Sequence, residues 1–401
     1  MNEEKIIERL VKRMEKTNQH ILREIARSLK EIGTINPTKL NQLIMSLKYG
    51  SNYKSMVQYI QKQTKINAKE IETIFEAVAK KDYENAKRFY EYRDKKFLPY
   101  NENKALAEEV KALANISKNE IINLSNTTSI GFGIPNKNGK VVFKGLKQTY
   151  YDAIDEAVLS ISQGKEVFND AMFRQLHNIS ASGLKVIYPT TYIGKDGKEH
   201  HYVRRLDSAM NMNLTGALRN LHNETQKIIG EQIGADGWEI STHENPAPDH
   251  EDAQGRQFTK EEFDKLQTTG LAKTYEGLRV SLHRSSGKFR PISEWNCYHI
   301  AFSIVLGVDR PLKTNEQLEA IKQRNEDGFE IDGRHYTMYE GEQMQRKIET
   351  EIRKQKEVEM TLDEGGVADM LNRSKIRALN RKYKELNQLS GLRPRYDRLK
   401  V

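Results

Sequence analysis

The feature that most constrains this chain is a run of apolar side chains, three and four residues apart, near its start. Leu10, Met14, Ile21, Ile25, Leu29 and Ile32 share one face of a 3.6-residue helix, with one seven-residue step where Thr17 or Asn18 would sit. That spacing excludes a strand, whose side chains alternate, and it requires a second surface to bury the stripe. Gly33 and Pro37 end the segment, and Thr38 is a start signal for the next. Periodic stretches follow over Leu40–Ile60, Ala68–Phe97 and Ala105–Leu124, with Pro99 as a break. No sustained heptad repeat or long internal repeat accompanies them.

From Ile130 the texture changes. IPNKNGKVVF, with Asn138-Gly139 at its centre, predicts a hairpin, as does LKVIYPTTYIGKDGKEHHYV with Asp196-Gly197. Helical spacing lies between them over Gln148–Leu159 and Val167–His177, and then over Arg204–Glu231. A short strand is expected at Trp238–Thr242. Residues 243–310 read as loop-rich, and Met338–Val358 as a highly charged helix broken near Gly365-Gly366. With 37% hydrophobic and 30% charged residues in 401, the apolar content is below the roughly 45–50% of ordinary domains. The expectation is a predominantly helical α+β protein. It has an elongated helical N-terminal half (1–130), a segment of helices with two hairpins (131–204), a small mixed domain (205–330), and charged C-terminal helices (331–401).

The formal charge of +9 is modest for this length, but its distribution is uneven. Val367–Val401 holds ten Lys/Arg against three Asp/Glu, among them Arg373, Lys375, Arg377, Arg381, Lys382 and Lys384. A basic tail of this kind attracts phosphates through counterion release, although a solvated helix face accounts for it equally well. The opening MNEEKIIERL lacks an apolar signal core, and no run reaches the ~18 residues that span a bilayer. Synthesis in a reducing bacterial cytoplasm, without membrane contact, is the expectation. The single cysteine, Cys297, has no disulfide partner within the chain.

Four residues have metal-ligating chemistry: His243 and His250 at one end of the loop-rich segment, Cys297 and His299 at the other. Residues two apart in extended chain face the same way, so Cys297 and His299 present sulfur and imidazole together. The Pro246/Pro248 turn would return His250 toward His243. One thiolate and three imidazoles satisfy tetrahedral zinc; the competing reading is a small buried thiol with packed, hydrogen-bonded imidazoles. Asp249, Glu251 and Asp252 could hold magnesium or calcium, but they read more simply as exposed loop acids. Glu349-Thr350-Glu351 has the Glu-x-Glu form of some ADP-ribosyltransferases, but in a charged helical run such pairs are expected. Trp238 and Trp295 read as packing residues at the two ends of this segment. No phosphate loop, dinucleotide fingerprint, HExxH or nucleophile elbow is present.

At these residues the chain resembles the phage minor capsid protein 2 family. The resemblance is carried by VRRLDSAMNMNLTGALRNL, then His243, His250, Gln254-Gly255, Asn296-Cys297 and His299 in order. A later match covers Tyr339, Gln343, Arg346, Lys347, Glu349 and Arg353, and another the closing Asp397-Arg398-Leu399-Lys400-Val401. Tyr298 departs from the basic residue usual between Cys and His. The resemblance implies a structural minor capsid protein of a tailed phage, and no catalytic constellation is legible in these residues. It also implies association with the portal and other capsid proteins, and roles in head morphogenesis and in DNA packaging or ejection. Contact with packaged DNA through the basic tail is our expectation from charge. The competing readings are a zinc-dependent nuclease or ADP-ribosyltransferase-type virion enzyme, and a non-catalytic DNA-binding packaging accessory.

Overall fold

The stripe at the start becomes helix α1, Glu3–Thr34, and its six apolar members are fully buried. Each such side chain is worth about 1.5–3 kcal/mol over exposure, so α1 is a central strut and not a free arm. The seven-residue step marks where a buried polar residue is used. Asn18 Oδ1 accepts the Leu184 backbone N–H at 2.7 Å, and Thr17 returns its hydroxyl to the Arg13 carbonyl at 2.8 Å. The computed structural model describes residues 3–35, 39–126, 128–161, 163–194, 196–283, 288–294, 297–367 and 369–401. Pro37, Thr38, Trp295 and Asn296 lie outside the described residues.

The next helices are α2 (Leu40–Tyr49), α3 (Ser51–Asn85), α4 (Lys87–Tyr92) and α5 (Lys104–Asn123). Here the periodic reading merged two elements and split another. The chain breaks at Gly50, so Leu40–Ile60 is not one helix, and α3 runs continuously through the expected gap at 61–67. Strands β1 (Ile130–Pro135) and β2 (Val141–Gly145) form the first hairpin, β3 (Lys185–Ile193) and β4 (Glu199–Arg205) the second. Both expected turn glycines, Gly139 and Gly197, have positive φ. The two hairpins join in one antiparallel sheet of order β2-β1-β3-β4. Helices α6 (Leu146–Ile161) and α7 (Lys165–Ser182) lie between them in sequence, and α8 (Leu206–Ile233) follows.

One hydrophobic core draws on α1, α3, α5, the sheet, α6, α7, α8 and α11 (Met338–Gly365), from Ile6 to Leu362. Arg205 locks the start of α8 to α11. Its guanidinium binds Glu357 through bonds of 2.9–3.0 Å and Asp207 at 3.2 Å. The basic tail is not a loose tail. Most of it is helix α12 (Met370–Ser390), packed on α11 through Tyr383, whose hydroxyl donates to buried Glu349 at 2.9 Å.

The segment read as loop-rich holds more structure than expected: β5 (Gly237–Ile240), β6 (Gln257–Thr259), α9 (Lys260–Thr269), β7 (Leu271–Lys273), β8 (Arg279–Ser281) and β9 (Ala301–Ile304). Helix α10 (Asn315–Asp327) and the hairpin β10 (Phe329–Ile331) with β11 (Arg334–Tyr336) lead into α11. Strands pair in the order β6-β5-β9 around a separate small core that includes Ile240, Phe258, Leu266, Leu282 and Ile292. Trp238 packs beside that core against Phe263, as its reading required. The described residues are 63% helix and 14% strand, a predominantly helical α+β fold.

Candidate metal centre

Strand β5 ends at Ile240, and the next residues carry the pairing past it. Ser241 N–H donates to the Ile300 carbonyl at 2.8 Å, and Ile300 N–H to the Ser241 hydroxyl at 2.9 Å. This places His243 beside the 297–299 stretch. The chain then turns through 247–255 and closes on the strand end, with Gly255 N–H bonded to the Ile240 carbonyl at 2.8 Å. Gly255 has φ +67°, and a Cβ there would sit 2.4 Å from Leu318, so only glycine fits. Gln254 is buried, and its Oε1 accepts the His243 backbone N–H at 2.9 Å. The Gln-Gly pair is therefore the buckle of this turn, and the turn delivers His250.

Cys297, His250 and His299 meet in the interior, their ligand atoms all within 4.8 Å of one another. The Cys297 sulfur lies 3.2 Å from His250 Nδ1 and 3.4 Å from His299 Nδ1. The far nitrogens face oxygens: His250 Nε2 the Arg290 carbonyl at 2.8 Å, and His299 Nε2 the Gln254 Oε1 at 3.4 Å. A carbonyl only accepts, so each Nε2 carries the proton and each Nδ1 turns a lone pair toward sulfur. One thiol proton cannot satisfy two such lone pairs. A cation in their midst would satisfy both. Zinc–ligand distances of about 2.0–2.3 Å at tetrahedral angles put sulfur and nitrogen roughly 3.5 Å apart, close to the two separations seen. His243 stands next to this triad, its ring 4.4 Å from that of His299, with Nε2 buried and no hydrogen-bond partner.

Electrostatics agree with a neutral cluster. Burial, reinforced by His243, His250, Arg290 and Arg219, pushes His299 down to about 2. Burial also lowers His243 and raises the Cys297 thiol. Neutral imidazoles are ready ligands, whereas the thiol would have to release its proton on binding. Around the triad, Arg290 donates to buried Asp249 at 3.0 Å, and Ser293, at φ +69°, donates to the His299 carbonyl at 2.8 Å. The sequence reading did not single out Arg290 or Ser293, because nothing local marks a loop residue whose carbonyl or hydroxyl will be used.

The remaining candidates separate. Asp249, Glu251 and Asp252 do not converge on a cation: they bind Arg290, Asn325 and Lys322 respectively. Glu349 is buried against Tyr383, while Glu351 accepts from Gln355, so the two carboxylates have different surroundings. Of the basic set, Lys375, Arg377, Arg381, Lys382 and Lys384 are exposed, opposite the buried Ile376, Tyr383 and Leu386. Arg373 is also exposed but already paired, with Glu359 and Asp363. No described helix is long and apolar enough to cross a membrane.

Fold and site together define a helical α+β protein with a small His/Cys module between α8 and α11. The family model of phage minor capsid protein 2 matches residues 3–388, and the chain belongs to that family. It is accordingly a phage capsid protein of the virion. No curated protein and no solved structure matches it.

Proposed function

We propose that this chain is a structural, non-catalytic head protein of a tailed phage, seated at the portal vertex, where it acts in head assembly and in DNA packaging or ejection. The observation that carries this reading is the match to a capsid family over nearly the whole length. Large apolar side chains left exposed on helices add support: Tyr49, Tyr92, Met370 and Leu371 are between 66% and 80% accessible. Side chains of this kind suit contacts with neighbouring proteins. The inward-turned His/Cys cluster favours a closed structural centre over an open catalytic one. Co-expression with the portal protein of the same phage is the test. Co-purification in a ring complex is expected, whereas a chain that never binds portal yet degrades DNA would overturn the proposal.

Within this reading, Cys297, His250 and His299 hold a structural zinc. Their donor set fits the ion, and His243, which stands outside this group of three with a buried, unpartnered Nε2, would close on the ion as fourth ligand. The zinc would clip the 243–255 turn to the 297–299 stretch. Elemental analysis should find about one zinc per chain, falling in Cys297→Ala; less than roughly 0.2 would reject it. The exposed cations of α12 are proposed to contact packaged DNA. Neutralising Lys375, Arg377, Arg381, Lys382 and Lys384 to Gln should flatten the salt dependence of DNA binding by up to about 4.5 in log–log slope. An unchanged slope would remove that contact.

A further inference from the structure

We propose that the outer face of α1 is a separate track for the phosphate backbone of duplex DNA. At about 100° per residue, Lys5, Arg9, Lys12 and Lys16, then Arg23, Arg27 and Lys30, fall within a sector of roughly 60°. That sector lies opposite the buried Leu10–Ile32 stripe. The helix's own six carboxylates, Glu3, Glu4, Glu8, Glu15, Glu24 and Glu31, all fall outside it on the same helical projection. A surface helix stabilised only by solvent usually mixes both signs along its exposed face; here Glu8 and Glu31 are also exposed, but the roughly 60° sector itself carries a single sign over 25 residues, about 37 Å. One turn of duplex DNA is about 34–36 Å.

Neighbouring helices deepen the track. Between α1 and α3 lies a depression of about 480 Å³ lined by Lys5, Arg9, Lys12, Arg13 and Lys16, with Glu8, Tyr59 and Gln63. Between α1 and α11 lies another of about 530 Å³, where Arg23, Arg27 and Lys30 face Asp363, Glu364 and Met360. Some cations are engaged. Glu70 takes Arg9 and Arg13, Glu24 and Glu364 take Arg27, and Glu8 stands 3.8 Å from Lys12. Among the described residues no carboxylate forms an ion pair with Lys16, Arg23 or Lys30, and these three are spread along the track. Regular cations on a packed helix suit a repeating polyanion, and this protein belongs to a phage capsid family. The inference does not depend on the α12 contact, because different residues carry it.

The test is binding of the full chain to a random 30-base-pair duplex by fluorescence anisotropy across salt concentration. In one variant Lys12, Lys16, Arg23 and Lys30 become Gln. In a charge-matched control Lys80, Lys81, Lys87 and Lys104, exposed on α3, α4 and α5, become Gln. The first should flatten the log–log salt slope by up to about 3.6, and the control should leave it within about 0.5. Equal flattening in both would reduce the effect to net charge and overturn the proposal, as would an unchanged slope. Loss of poly-glutamate binding with DNA binding intact would overturn it in favour of an acidic protein partner. If the quadruple variant loses its helical circular dichroism, the Lys16→Gln/Lys30→Gln pair reads the same slope, with an expected change of about 1.8. Neutralising α12 leaves these outcomes distinct, since the two slope changes then add.

Discussion

Removing Arg205 should unfasten α11 from the rest of the core. Its side chain is 17% accessible, and its partners Glu357 and Asp207 are 2% and 7% accessible. Substituting Arg205→Met fills much of the same volume but strands two carboxylates in the interior. Asp207 keeps the Ser208 N–H at 2.9 Å, so Glu357 bears most of the loss. Breaking one side of a buried pair costs about 3–5 kcal/mol, whereas replacing both sides with apolar groups is often neutral. Arg205→Met alone should therefore lower the urea-derived unfolding free energy by about 3–5 kcal/mol, and Arg205→Met/Glu357→Leu should recover most of it. The exposed Arg27–Glu24 pair, 55% and 34% accessible, supplies the comparison: Arg27→Met should cost less than about 1 kcal/mol. A loss under about 1 kcal/mol for Arg205→Met, or additive effects in the double variant, would refute the reasoning.

Three further outcomes are expected. With metal chelated, His299 is neutral in the fold and titrates near 6.5 when unfolded, so its depressed pKa contributes stability above pH 6.5 that is lost as pH falls. The stability gap between the native chain and His299→Asn should thus narrow by about 1.4 kcal/mol per unit below pH 6.5, and a gap that widens on acidification would contradict this. Gln254→Ala removes the acceptor shared by His243 N–H and His299 Nε2, and should weaken zinc binding by about 10–100-fold in competition with a chromogenic chelator. Tyr383→Phe leaves buried Glu349 without its hydroxyl donor and Arg395 N–H without its acceptor; a melt should report a cost of about 1–3 kcal/mol.

Long, strongly periodic segments were legible because their burial repeats with the helix: α1, α5, α8 and α11 lie where Leu10–Ile32, Ala105–Leu124, Arg204–Glu231 and Met338–Val358 placed them. Gly50 was harder, since a glycine inside a helical pattern reads as tolerated until the backbone leaves the α region, as it does there at ψ −151°. Helices α9 and α10 were hidden by shortness and polarity. Each nonetheless carries a capping signal, with Thr259 accepting from Glu262 N–H and a full capping box at Thr314–Gln317. Two-residue spacing put Cys297 and His299 on one side, as they are; the proline turn was expected to return His250 to His243, and the fold instead brings it to Cys297 and His299. The Arg290 carbonyl was beyond reach, because every residue has a carbonyl and only the fold decides which one meets an imidazole. The charge of 367–401 was legible; that α12 would be held by a buried Tyr383–Glu349 contact was not, since it needs the pairing of two separate charged helices.

The separation of the main core from the module's own cluster leads to a prediction about where damage would stop. The core formed by α1, α3, α5–α8 and α11 contains no member of the His/Cys triad, and the module between α8 and α11 keeps its own apolar cluster. Strand β9 packs along the second half of α8, and the other links are mostly polar, among them Ser303 N–H to Gln226 at 3.3 Å, Ser293 to Asn223 at 3.3 Å, Arg93 to Asp309, and Asn245 Nδ2 to Glu342 at 2.8 Å. If the proposed zinc clip is bound, a small cluster closed by short strands depends on it to hold its turns, while the larger core loses nothing directly when the clip is cut. Cys297→Ala should therefore speed amide hydrogen exchange across 237–304 while leaving the buried turns of α1, α3 and the first half of α8 protected. The start of α11 should respond weakly, because Asn245 and the Asn325 side chain, which accepts Tyr339 N–H at 3.0 Å, connect it to the module. Exchange that rises equally in α1 would mean one cooperative unit and would sink the separation of the cores. Unchanged exchange throughout would instead show that the apolar cluster alone holds the turn, and the metal clip would then have no structural task.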